Sequence, residues 1–268
     1  MKRYTFGLLM LAMTVPGSVV IAQDDDEMTD YGPDTRISVG ISIGTLSYFG
    51  EIGYGTNKDL VSFATERRAF ALTGHKRLNE NFGVQGNLTM GNLSKGERSK
   101  LPGRNMNFKS IVVALDGQFV FHFDNDMILP SDVGASPFVS AGIGFMYFNP
   151  KGDLTLANGT AYHYWSTGEI KNKAEDAPDA SSAKDISRDY VYETVLDSTS
   201  AHGNMTVMFP ITAGVRLKIT ENIEADVKGT LHLTLSDYID NYSNPSGSGG
   251  GDMYSFLGFS LRYFLPEF

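Results

Sequence analysis

Apolar side chains along this chain recur at every second position, in stretches separated by turns and polar loops. In RISVGISIGTLSYF, Ile37, Val39, Ile41 and Ile43 share one parity, and Ser38, Gly40, Ser42 and Gly44 share the other. A period of two belongs to a β-strand with one apolar face. RRAFALTGHKRL repeats it, setting Phe70 and Leu72 against Ala71, Thr73, His75 and Arg77. After a turn at Asn79–Asn81, FGVQGNLTMGNL sets Phe82, Val84, Leu88 and Met90 against Gly83, Gln85, Asn87 and Thr89. FKSIVVALDGQFVFHF opposes Ile111, Val113, Leu115, Phe119 and Phe121 to Ser110, Ala114, Asp116, Gln118 and His122. The stretches SPFVSAGIGFMYF, MFPITAGVRLKI and IEADVKGTLHLTLS follow the same rule. The last stretch, FLGFSLRYFLPEF, places Leu257, Phe259, Leu261 and Tyr263 opposite Gly258, Ser260 and Arg262.

The connections predict how these strands are arranged. Those near 79–81, 124–135 and 220–222 are the shorter ones, whereas those near 50–66, 94–107, 149–204 and 237–252 are long. Short turns at one end and long loops at the other predict an all-β fold, an eight-stranded antiparallel transmembrane β-barrel with long extracellular loops and both termini periplasmic. A soluble β-sandwich also alternates. The polar faces here, however, are rich in Gly, Ser and Thr with a few ions of both signs, which suits the crowded inside of a narrow barrel. The apolar faces are then expected to meet lipid. Aromatic pairs at strand ends, Tyr48/Phe49, Phe121/Phe123, Tyr147/Phe148 and Tyr263/Phe264, are expected to form interfacial girdles.

Composition narrows the function classes. A net charge of −9 and a pI near 5.0 give no basic footprint for nucleic acid. The absence of Cys excludes a disulfide framework, thiolate metal ligands and a cysteine lipid anchor. Residues 1–22 read as a signal peptide: Lys2 and Arg3, an apolar run from Phe6 to Val15, and cleavage after Ala22. An acidic periplasmic segment is expected over 23–35, and the barrel over 36–268.

On the polar faces, Asp116, Glu224 and Asp226 with Arg77, Arg216, Lys218, Lys228 and Arg262 are expected to pair as a lumen charge network. An eight-stranded barrel is filled by its own side chains, and an unpaired ion there costs several kcal/mol. A packed lumen is therefore expected rather than a pore. HLTLSD brings His232 and Ser236 to one parity with Asp237 next to them, the residue types of a nucleophile, a base and an orienting acid. Alternation alone produces that spacing, and no catalytic residue, metal site or cofactor is expected. The 149–204 loop carries Tyr162, Tyr164 and Trp165, a candidate partner-binding cluster or equally a local mini-core. Within it EIKNKAED and SSAKDISRDYVYE predict short helices.

Three stretches, IGTLSYFGEIG, NFKSIVVALDGQFVF and SPFVSAGIGFMYFNP, carry a family resemblance. With them the chain resembles the small OmpA-like outer-membrane β-barrels, and within these the Bacteroidota group that includes PorG-like proteins. The resemblance implies a bacterial outer-membrane protein acting without catalysis, as a structural or accessory subunit of an envelope complex such as type IX secretion or outer-membrane assembly machinery. Its implied partners are outer-membrane lipid and lipopolysaccharide, the barrel assembly machinery during insertion, and an envelope protein complex. Tyr263, Phe264 and Phe268 resemble the C-terminal aromatic signal by which such barrels are presented for assembly. Two other readings stay open: a surface binding or adhesion module working through the 149–204 loop, and a lipid A-modifying barrel enzyme.

Overall fold

The computed structural model describes residues 34–50, 52, 67–96, 106–195, 203–242 and 251–266. The leader 1–22, most of the acidic segment and Phe268 lie outside them. The chain runs β1 (Ile37–Phe49), β2 (Arg68–Arg77), β3 (Phe82–Gly96), β4 (Asn107–His122), β5 (Ala135–Lys151), a small hairpin β6 (His163–Tyr164) and β7 (Ile170–Lys171), then β8 (Met205–Thr220), β9 (Ile223–Thr234) and β10 (Met253–Phe264). All but β6 and β7 close into one antiparallel barrel in the order β1-β10-β9-β8-β5-β4-β3-β2. Neighbours in this ring are mostly neighbours in sequence. The closing pair β1–β10 holds an unbroken register from Ser38↔Phe264 to Phe49↔Met253.

Alternation decides what each wall position meets. Ile41, Ile43, Leu72, Leu115, Phe119, Phe145, Ile211 and Phe259 all point outward and are exposed. They form continuous rows across the strands: Leu72 pairs with Leu88, Leu88 with Leu115 and Leu115 with Phe145. A belt of this kind on every strand would be unstable in water and is the surface a barrel presents to hydrocarbon. The alternate positions point into the lumen, where Ser42, Thr73, Gln85, Asn87, Asp116, Thr212 and Arg262 are buried.

The lumen is narrow enough for glycine to be a steric requirement. A Cβ on Gly40 would stand 2.4 Å from Arg262 Cγ, and one on Gly144 would stand 2.6 Å from Asp116 Cβ. The Arg262 and Asp116 side chains thus fit inside only because the neighbouring strand has no side chain at the position beside each.

Only part of the expected aromatic girdle forms. Adjacent residues on a strand face opposite sides, so Tyr147 and Tyr263 point outward while Phe148 and Phe264 are buried inside, and Tyr48 is buried as well. The inward Phe264 receives the Arg36 guanidinium over its ring at 5.2 Å. Phe82, Phe121 and Phe123 form an edge-to-face series with centroids 5.6 and 5.2 Å apart.

The belt yields a depth-dependent expectation. Leu115→Arg, midway along β4, should cost about 2–4 kcal/mol, whereas Asn149→Arg near the loop end of β5 should cost about 0–1 kcal/mol. Reversible denaturant titration of folding into lipid vesicles measures both.

Candidate functional site

The lumen divides into two zones. Toward the short turns it is ionic and amide-lined. Arg262 reaches Glu224 at 2.9 Å and Asp226 at 3.2 Å, and Arg216 approaches Glu224 at 3.4 Å. Arg216 also donates to Nδ1 of His122 at 2.9 Å. A guanidinium can only donate, so that nitrogen is the unprotonated acceptor. Beside them Arg77 bonds both the carboxylate and the backbone carbonyl of Asp124, at 3.0 and 2.7 Å, and clamps the β2–β3 turn through Glu80 O. On the opposite wall Asp116 Oδ1 accepts from Asn87 and Gln118, each at 2.8 Å, and Gln118 in turn accepts from Ser140 and Thr212. Four buried cations here (Arg77, Arg216, Lys228, Arg262) face four buried acids (Asp116, Asp124, Glu224, Asp226). The zone is therefore balanced in charge.

Lys218 stands outside this network. A register shift between Lys218 and Thr220 interrupts the β8–β9 ladder just before its turn. The Lys218 side chain is exposed at the rim, where its ammonium donates to the Ser131 carbonyl. The parity is that of a lumen residue, but at the turn end of β8 the side chain reaches over the rim to the β4–β5 connection. Conversely, parity assigned no partner to Arg77, and its mate Asp124 lies just past the end of β4, where alternation carries no information.

Toward the long loops the lumen is apolar, which the uniform polar-inside pattern did not anticipate. Leu46, Tyr48, Leu93, Phe108, Val112, Met146, Phe148, Met208, Tyr254 and Phe256 pack into one buried cluster, covered by Tyr238 and Ile239 of the β9–β10 loop. A signal for it was present: in TLSYF the lumen parity changes from Ser and Gly to Leu46 and Tyr48, and in IVVA (111–114) both parities are apolar, the mark of a strand buried on two sides. Above the cluster the Tyr48 hydroxyl lies 2.6 Å from Asp240 and 2.8 Å from Asp252. The backbone amides of Tyr242 and Ile239 satisfy the other oxygens of these carboxylates.

His232 belongs to the lumen and does not meet Ser236. Its ring stacks on Tyr254 with centroids 4.2 Å apart and planes within 4°. The Ser236 hydroxyl instead accepts from the Tyr238 amide at 3.2 Å, because the strand ends at Thr234 and its alternation stops there.

The β5–β8 loop is a built unit fixed to the barrel rim. Asn107 of β4 exchanges two hydrogen bonds with the Asp153 backbone, both 2.8 Å. Arg188 pairs with the buried Asp153 carboxylate at 2.7 Å. Gly152 bridges Thr194, and the Asn241 side chain donates to the Thr194 carbonyl. The three aromatic candidates lie close in sequence but do different work. Tyr162 is buried and bonded to Asp189 at 3.2 Å, its phenol pushed up to about 12 by burial. Tyr164 and Ile170 pair as the β6–β7 hairpin. Trp165 donates its indole N–H to Lys173 O at 2.9 Å and lies under the Lys171 ammonium at 4.3 Å. The expected helices do not form. Among the described residues the loop's helical content is a single 3-10 turn, Ala180–Ser182, because side chain–backbone bonds such as Lys184 N to Asn172 Oδ1 hold the segment in turns instead. Around Tyr190, at φ 58° and exposed, the Arg188 guanidinium stacks at 5.2 Å.

A closed antiparallel ring, a lipid-type outer belt and a filled lumen define a membrane-spanning eight-stranded β-barrel of the bacterial outer membrane. No family model matches the chain, and no curated protein matches it in sequence. Among solved structures it is similar to Neisserial surface protein A at 8% identity and TM-score 0.41, over 85% of this chain and 97% of that one. It is also similar to Escherichia coli outer membrane protein W (13% identity, TM-score 0.36, covering 87% and 99%). A third is the attachment invasion locus protein Ail of Yersinia pestis (11%, 0.34, covering 85% and 97%). The fold assignment rests on the register and the outer face rather than on these likenesses.

Two expectations follow from the site. Arg262→Met leaves Glu224 and Asp226 without their main partner inside the lumen, and should lower stability by about 3–5 kcal/mol in a denaturant titration. In the loop, the hydroxyl and amide of Ser166 hold the Glu175 carboxyl below its ordinary range. Its stabilising contribution is full above the ordinary glutamate value of about 4.3 and is lost as pH falls through the lowered one. Emission from Trp165, the only Trp, should therefore change only below about pH 4.3, and that step should disappear in Glu175→Gln.

Proposed function

We propose that this protein is a non-enzymatic barrel whose working part is the rim-fixed β5–β8 loop, and that it serves as an accessory subunit of an envelope protein complex. The observation that carries this reading is the contrast between the two parts. The interior is committed to packing, with an apolar cluster at the loop end and a balanced ionic zone at the turn end. The loop, by contrast, is held to the barrel through Asn107–Asp153, Arg188–Asp153 and Asn241–Thr194 and exposes Tyr190 and Val191. A rigid exposed aromatic displayed beside apolar neighbours is the usual anchor of a protein–protein contact. The resemblance to PorG-like barrels supports the narrower form, a role in type IX secretion or outer-membrane assembly.

The second reading, a surface module that captures a glycan or lipid, is favoured by the cation–aromatic stacking of Trp165 and Tyr190. Both readings place the long loops outside the cell, the arrangement of bacterial single-chain barrels.

The test is a mild-detergent pull-down of the tagged native protein beside a variant in which residues 154–193 are replaced by a short Gly/Ser linker. A stoichiometric protein partner held by the native chain and lost by the variant is the expected result. If the partner stays on the variant, the loop is not the docking part. Unchanged lipid A masses in a strain carrying His232→Ala are expected alongside, and an altered mass would transfer the function to the lumen.

A further inference from the structure

At the seam between the two lumen zones lies a small cavity lined by Asp116, Gln118, Lys228, Thr230, His232 and Phe256, with room for about one water molecule. Three of its polar groups are buried and incompletely satisfied. Lys228 is 5% exposed, and among the described residues its ammonium makes no hydrogen bond or ion pair. His232 is 3% exposed and its Nδ1 has no partner. Asp116, which lines the cavity, receives its hydrogen bonds from Asn87 and Gln118 on Oδ1, and among the described residues none on Oδ2. An ammonium buried without acceptors costs several kcal/mol.

We propose that this cavity is a binding site for one ordered water molecule, which accepts from the Lys228 ammonium and donates to Asp116 Oδ2 and His232 Nδ1. The chemistry selects water over an ion. An anion that suited Lys228 would sit against the Asp116 carboxylate, and a cation that suited Asp116 would sit against the ammonium. A neutral molecule with two donors and two acceptors satisfies all three groups, and three hydrogen bonds are typical for a buried water. The bridge joins β4 to β9 across the barrel, since Asp116 and Lys228 belong to strands that are not neighbours in the ring. It also closes the ionic zone just below the apolar cluster.

A high-resolution crystal structure of the detergent-purified protein, grown from sodium bromide, tests this. The expected result is a single non-anomalous density peak within hydrogen-bond reach of Lys228 Nζ, Asp116 Oδ2 and His232 Nδ1, lost in Lys228→Met. A bromide anomalous peak at that position would overturn the proposal in favour of an anion site. A direct Lys228–Asp116 ion pair with no peak between them would also overturn it. Should Lys228→Met fail to fold, the wild-type density alone decides among these outcomes.

Discussion

The lumen of an eight-stranded ring is just wide enough for side chains, and every one of them is cut off from bulk water on one side by the wall and on the other by its neighbours. Whatever points inward must therefore be small, apolar or fully paired. This constraint orders the rest of the molecule. It places Gly40 opposite Arg262 and Gly144 opposite Asp116, makes Arg262 bridge two acids, and turns the loop-end half of the lumen over to Leu, Met, Phe and Tyr. The wall tolerates either solution, because the outward face is chosen by lipid independently of the inward one.

Much of the architecture was legible for that reason. A residue's parity assigns it to lipid or lumen without knowledge of any contact, and Ile41, Leu115, Phe145 and Phe259 declare the outer face unaided. Parity fails where strands end. Lys218, the last residue in register before the β8–β9 shift, keeps lumen parity yet reaches the rim, and Ser236 shares parity with His232 but not its surroundings. It also cannot say which inward groups meet. Arg77 with Asp124 joins β2 to a turn 47 residues away, a pairing fixed by the β2–β3–β4 meander rather than by local spacing.

The loop shows the opposite balance between local and distant information. Its helix formers pointed to helices, and its Asn, Asp and Ser side chains won by bonding the backbone directly, as in Lys184 to Asn172 and Ala157 to Asp189. Propensity is a weak prior over segments this short, because a nucleus costs more than a few turns of helix return. What fixes the loop is its attachment at the rim, and that is a tertiary fact. Asp153 lies two residues past the end of β5, and Asn107 is the first residue of β4, so the register of two wall strands sets where the loop begins.

Wall and loop are thus one mechanical system. The β4–β5 register runs without interruption from His122↔Phe138 at the turn end to Lys109↔Lys151 at the loop end. The same two strands carry the Asp116 half of the amide network, the Phe148 and Val112 portion of the apolar cluster, and the Asn107–Asp153 attachment. A change that loosened the lumen on this side would have to deform an unbroken ladder whose far end holds the loop. The packed interior therefore does more than exclude water: it gives the exposed Tyr190 face a fixed position relative to the membrane. A docking contact on a fixed face forms with less loss of conformational freedom than one on a loose loop.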